Sequence, residues 1–422
     1  MTDKLTAENV YKIFGPEPDR ALELVQNGAS KDEVFRETKS VVAVNDVSFK
    51  VKEGEIFVVM GLSGSGKSTL IRCLNRLFDP TAGKITLDGT DITAADAEEL
   101  RKIRLTRMAM VFQHFALFPH KTVWENAAYG LKIRNVGVDE RREQAISALK
   151  SVGLEAWADS YPKNLSGGMQ QRVGLARALA VSPEVMLMDE PFSALDPLIR
   201  RDTQDELVEI QERLRNTIVF ITHDLQEALK LGDQIAIMKD GRFVQVGSAQ
   251  EIVLSPADDY VFEFTRDVDR SRVLTFGTIR NEAVTVASDD TAENIARQFE
   301  AQPDLKGIFV VDGAGKPVGL IERDRLEEAE AGATAQSLMD RKFAKVRRST
   351  YICESFDRLG DHKIFAVIDR EGVLRGTVDP MNVFQHLEVP SEEEAMQPGG
   401  RAGEQPDDTE AAAAAPAARE TV

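Results

Sequence analysis

Residues 55 to 68 read Glu55-Ile56-Phe57-Val58-Val59-Met60-Gly61-Leu62-Ser63-Gly64-Ser65-Gly66-Lys67-Ser68. A short apolar, β-branched run that breaks into glycine reads as a buried central strand entering a turn. The turn fits G-x-x-x-x-G-K-[ST], and a helical segment over 69–77 follows it, beginning with Thr69. Glycines at these positions let backbone N–H groups curl around phosphate oxygens at a helix N-terminus, where unpaired donors and the helix dipole favour negative charge. Lys67 is placed to reach the β and γ phosphates of a nucleoside triphosphate, and the Ser68 hydroxyl to bind Mg²⁺.

Two further runs have the same buried-strand character. Residues 185–188 lead into Asp189 and Glu190, and residues 217–221 lead into Thr222 and His223. In open α/β sheets ligands bind beyond the carboxyl ends of the strands, so all three strand ends are expected to share one site. Two carboxylates closing a buried strand are costly unless a cation or substrate uses them, and the pair suits a magnesium shell and an attacking water. Leu165-Ser166-Gly167-Gly168-Met169-Gln170-Gln171-Arg172 enters a helix with Ser166 as natural N-cap, a second anion-binding helix start. One nucleotide has no need of two such starts, which points to a site closed between two copies of the chain. Helical periodicity over 138–152 and 170–181 predicts a helical subdomain between the strands.

The 422 residues allow two or three domains, and a 42% hydrophobic share is enough for real cores. Net charge is −18, which argues against a nucleic-acid partner, since such affinity rests on Lys and Arg neutralising phosphates. Cys73 and Cys353 stand far apart in no metal or disulfide spacing. No signal peptide or membrane-spanning run is visible, so the chain reads as cytosolic or docked on a membrane from the cytosol.

From about residue 271 the pattern changes. Ile308-Phe-Val-Val-Asp312-Gly-Ala-Gly315-Lys-Pro-Val-Gly319-Leu-Ile321 recurs as Phe365-Ala-Val-Ile-Asp369-Arg-Glu-Gly372-Val-Leu-Arg-Gly376-Thr-Val378 at a constant offset of 57. That is a two-copy unit of strand, Asp/Gly turn, strand and helix. The last 32 residues, 391–422, hold 8 acidic and 2 basic side chains and no aromatic, a composition that cannot bury a core, so a disordered acidic tail is expected.

With these motifs in this order, residues 5–255 resemble the ATPase subunit of an ATP-binding cassette (ABC) transporter. The resemblance implies an α/β P-loop ATPase domain with a helical subdomain, followed here by an α+β pair and the tail. It implies that Gly61, Ser63, Gly64, Ser65, Gly66, Lys67, Ser68 and Thr69 hold the ATP phosphates. Ser68, Gln113 and Asp189 would hold Mg²⁺, with Glu190 as general base for water and His223 as the γ-phosphate switch. Ser166, Gly167 and Gly168 belong to the signature, Asp196 to the loop at the dimer interface, and Phe14 sits where the family stacks an aromatic on adenine. Two departures stand out: Met169 replaces the usual signature Gln, and a long charged segment, 16–40, separates Phe14 from the next strand.

The stretch 110–120, that insertion and the stretch 188–200 resemble one branch, the glycine betaine/proline betaine importer ATPases. The repeat resembles the paired cystathionine β-synthase (CBS) domains that end many of its members. The implied function is ATP-driven uptake of a quaternary amine osmoprotectant under CBS control. An ATPase of an importer for another solute, such as an amino acid, is the alternative, and a soluble non-transport ABC ATPase is a more distant one. Implied partners are a second copy of the chain, integral membrane permease subunits and, indirectly, an extracytoplasmic solute-binding protein, at the cytoplasmic face of the membrane. The expected boundaries are 1–40 for the N-terminal segment, 41–270 for the ATPase, 271–330 and 331–390 for the CBS copies, and 391–422 for the tail.

Overall fold

The computed structural model describes residues 2–388 apart from 114, 115, 328, 331 and the side chain of 327. The expected acidic tail, 391–422, lies outside the described residues. The chain divides into two compact units, one ending at Ile252 and the other beginning at Val253.

Among the described residues the first unit holds ten strands: β1 (Asp3–Phe14), β2 (Val41–Lys52), β3 (Ile56–Met60), β4 (Ala82–Leu87), β5 (Thr90–Asp91), β6 (Met108–Val111), β7 (Val185–Asp189), β8 (Thr217–Thr222), β9 (Gln234–Lys239) and β10 (Arg242–Gly247). Strands β2-β1-β4-β5 form an antiparallel sheet. The order β10-β9-β3-β8-β7-β6 forms the second, parallel except for its β10 edge. The three apolar runs are its centre, and every residue of β3, β7 and β8 is buried. Such strands read as continuous hydrophobic stretches because helices or a second sheet cover both faces. One core joins the layers, with Leu5, Val47, Phe57, Leu70, Leu74, Ile85, Leu187 and Val219 in contact. Phe49 stacks on Phe57 with ring centroids 4.7 Å apart.

Helices Val123–Ala127, Val138–Ser151 and Gly167–Leu179 pack together as the helical subdomain. The charged segment after β1 is folded. It makes helices Pro18–Gln26 and Lys31–Thr38, the second opened by a capping box between Ser30 and Glu33. Ala21, Val25 and Val34 bury against Tyr11, Ile13 and Val42, a small core of its own.

The second unit carries β11 (Thr285–Ala287), β12 (Ile308–Val311), β13 (Pro317–Ile321), β14 (Ala344–Arg347), β15 (Phe365–Ile368) and β16 (Leu374–Val378). Each copy is a three-stranded sheet with a parallel then an antiparallel pairing, β11-β12-β13 and β14-β15-β16. The offset of 57 is kept from β12 to β15 and from β13 to β16. Phe309, Leu320, Ile364 and Ala366 pack between the copies. The second unit opens with a segment that packs on its second copy: Leu274, Phe276 and Ile279 belong to the core of that copy and Leu254 packs against it. The Arg270 guanidinium donates to the Val253 carbonyl at 3.4 Å.

Cys73 is fully buried, and burial pushes its thiol up to about 12. A thiol reagent acting through the thiolate at about pH 8 should therefore leave Cys73 unmodified in the native chain and label it only after unfolding, which peptide mapping of the modified thiols checks.

Candidate active site

The loop after β3 depends on glycine. Gly61 (φ +153°) and Gly66 (φ +110°) have backbones that side-chain-bearing residues rarely adopt, and a Cβ on either would collide with a carbonyl oxygen, of Met238 and Ala43 respectively. Ser65 is buried and its Oγ has no hydrogen-bond partner. A buried hydroxyl of this kind in a phosphate-type loop suits an anionic oxygen. Lys67, only 4% exposed, opens helix Lys67–Leu74 and donates to the carbonyls of Gly61 at 2.7 Å and Leu62 at 3.0 Å. Burial, opposed by the carboxylates of Glu190 and Asp189, pulls its ammonium below the ordinary lysine value.

The Ser68 hydroxyl donates to Asp189 Oδ1 at 2.9 Å, tying the loop to the end of β7. The Arg72 guanidinium lies 3.4 Å from the other Asp189 oxygen. Asp189 is buried, so its charge is held by this pair of contacts. Glu190 follows in the left-handed region (φ 47°), a strain of about 1–3 kcal/mol for a non-glycine residue. Its N–H still reaches the Ile221 carbonyl of β8 at 3.0 Å, and its Oε2 lies 3.1 Å from His223 Nδ1. Thus the ends of β3, β7 and β8 converge, because β3 and β7 both neighbour β8.

A cleft of about 410 Å³ is lined by Ser63, Gly64, Gly66, Lys67, Ser68, Thr69, Glu190, Ser40–Ala43, and Lys31, Asp32 and Phe35 of the inserted helix. Phe14 is not in this lining. Its ring packs edge-on against Phe78 at 5.4 Å, with the Lys12 ammonium 4.9 Å from its centroid. Gln113, Ser166, Gly167 and Asp196 are exposed and also outside the lining. Ser166 caps helix Gly167–Leu179 by accepting from the Met169 N–H, and Asp196 caps helix Pro197–Leu214 by accepting from the Ile199 N–H. Gly168 is glycine for packing: a Cβ there would strike Ile199 Cγ2 on the neighbouring helix.

Sequence reasoning missed the support behind His223. The Thr222 hydroxyl donates to Glu227 Oε2 at 2.6 Å and the Gln204 amide to Glu227 Oε1 at 3.0 Å, all three residues being buried. Burial is the main cause that raises the Glu227 carboxyl above its ordinary value. No local spacing flags this network, since Gln204 comes from a distant helix. Arg72 and the inserted helix were missed for the same reason: only the fold brings them to the site.

Ser68 and Asp189 offer hard oxygen donors, a set suited to Mg²⁺, which keeps waters and shares phosphate oxygens. Among the described residues no cluster of three or more His, Cys, Asp or Glu could hold a metal alone. Fold and site thus define a P-loop ATPase of the cassette type.

The chain matches the ABC transporter family over residues 44–193 and the CBS domain over residues 276–332. It is 48% identical over 377 residues to the glycine betaine transport ATP-binding protein OpuAA of Bacillus subtilis, covering 89% of this chain and 90% of that protein. It is 44% identical over 394 residues to the glycine betaine/proline betaine transport system ATP-binding protein ProV of Salmonella typhimurium, covering 92% and 98%. The trimethylamine N-oxide transport system ATP-binding protein TmoW of Pelagibacter ubique is 45% identical over 329 residues, covering 76% and 96%. Among solved structures, cbiO1 from Clostridium perfringens, part of the ABC transporter complex cbiONQ, is 28% identical with a TM-score of 0.50, covering 62% of this chain and 94% of that one. The chain belongs to the ATP-hydrolysing, ATP-binding subunits of ABC transporters, in the branch of these betaine-system relatives.

Removing the Glu227 carboxylate leaves Thr222 Oγ1 and Gln204 Nε2 unpaired in a buried position, at about 1–3 kcal/mol per stranded group. Glu227→Ala should lower the unfolding midpoint of the ATPase unit in a denaturant titration, and Glu227→Gln, which keeps an acceptor for Thr222, should lower it less.

Proposed function

We propose that the chain drives uptake of a quaternary amine osmoprotectant, such as glycine betaine or proline betaine, by hydrolysing ATP beneath membrane permease subunits. The observation that carries the ATPase part is the contact set at three adjacent strand ends: Lys67 and Ser68 on one loop, Asp189 bonded to Ser68, and Glu190 paired with His223. The solute rests on the relatives, whose names specify betaines over nearly their whole length. A permease partner and a docked position follow from the same relationship, and among the described residues no helix is long and apolar enough to cross a membrane.

In this reading the loop N–H groups of residues 61 to 69 and Lys67 bind the phosphates, Lys67 exchanging its carbonyl contacts for phosphate oxygens. Bound Mg²⁺, held by Ser68 and Asp189, would neutralise charge on the β and γ oxygens. Glu190 orients a water and takes its proton as the water oxygen bonds to γ-phosphorus and the bond to the β–γ bridging oxygen breaks, releasing ADP. His223, hydrogen-bonded to Glu190, reports whether the γ-phosphate is present. Ser166, Gly167 and Gly168 of a second copy close over the phosphates, with Asp196 beside that interface, which accounts for the exposure of Ser166, Gly167 and Asp196 on one copy. Gln113, exposed past the edge strand β6, faces the permease. The CBS pair regulates this cycle.

Full-length Glu190→Gln should still bind ATP while hydrolysis falls by a factor of about 10² or more, the contribution of a positioned base. Cells expressing the whole transport operon with this variant should lose the osmolality-stimulated uptake of labelled glycine betaine that wild type shows. Lack of uptake by the intact wild-type system would remove the betaine assignment and leave an ATPase for another solute.

A further inference from the structure

We propose that the aromatic contact to the nucleobase is made by Phe35, on the inserted segment 17–40, and not by Phe14. The proposal rests on the ATP-site reading above and adds the residue that meets the base.

Four observations carry it. First, the insertion is a built element: its helices are fixed by the buried Ala21, Val25 and Val34, and helix Lys31–Thr38 ends with Thr38 buried, its hydroxyl bonded to the Val34 carbonyl at 2.7 Å. Second, Lys31, Asp32 and Phe35, which share one helix face at i, i+1 and i+4, line the same cleft as the phosphate loop. Third, among the described residues of that lining, Phe35 is the aromatic one; it is 48% exposed, and the Lys39 ammonium stands 5.6 Å from its centroid. A phenyl ring held by a rigid helix at the edge of a phosphate cleft offers a flat apolar surface to a purine, and stacking of this kind needs no hydrogen-bond match. Fourth, Phe14, 38% exposed, lies outside that lining, with its ring edge-on to Phe78 at 5.4 Å.

A triphosphate seated on the loop thus has its base packed by an element that the core cassette sheet does not supply. The insertion becomes a nucleotide-binding part of this chain.

The test compares ATP with inorganic tripolyphosphate on the full-length chain by titration calorimetry. Phe35→Ala should weaken ATP by about tenfold or more, the range of base–aromatic stacking, and leave tripolyphosphate unchanged. Phe35→Trp should restore ATP affinity. ATP affinity unchanged by Phe35→Ala would overturn the proposal, as would an equal loss for tripolyphosphate, which reports a change in the cleft and not loss of a base contact. Lys67→Ala tests the underlying reading separately: if ATP binds that variant as tightly as wild type, the phosphate loop is not the ATP site, whatever Phe35 does.

Discussion

The hydrogen bond from Ser68 to the buried Asp189 carboxylate is the constraint on which the site is built. It joins a loop that needs glycine geometry to a strand end that needs its charge compensated. Because β8 lies between β3 and β7, closing that bond also sets Glu190 against His223. The strained backbone of Glu190 is the local cost of turning its carboxylate toward that histidine while its N–H remains on β8. Charge, hydrogen bonding and sheet order therefore act as one device, and the same oxygens are the ones that suit a hard divalent cation.

Much of this was legible in the chain before any fold was known. Continuous apolar runs at β3, β7 and β8 read as strands covered on both faces, and polar residues stood at their carboxyl ends. Glycine spacing in residues 61–66 stated a backbone requirement, since the collisions at Gly61 and Gly66 are with carbonyl oxygens that cannot move aside cheaply. The offset of 57 survives because each CBS copy repeats one hairpin with its preceding parallel strand.

What could not be read depended on long-range placement. The segment 16–40 stood out as a long charged stretch, yet Ala21 and Val25 of its first helix and Val34 of its second seat it on β1 and β2, and that seating puts Phe35 beside the phosphate loop. Glu227 carries no local sequence signal, yet Thr222 and Gln204 meet it in the interior. The residues that open the second unit, Leu254 and Leu274, serve a core formed largely from residues 344 onward. The Gln204 partner of Glu227 and the phosphate loop beside Phe35 both come from elements outside the local window, so no local pattern records them.

The central claim is that catalysis needs the signature helix of one copy over the phosphate loop of another. Mixing two full-length variants, Lys67→Ala and Ser166→Arg, tests it most directly. Each homodimer carries a lesion in both of its sites, whereas a mixed dimer gathers both lesions in one site and leaves the other intact. The account predicts that neither variant hydrolyses ATP alone and that the mixture regains activity. A mixture as inactive as its parents, or a Ser166→Arg chain that hydrolyses ATP like wild type, would contradict it.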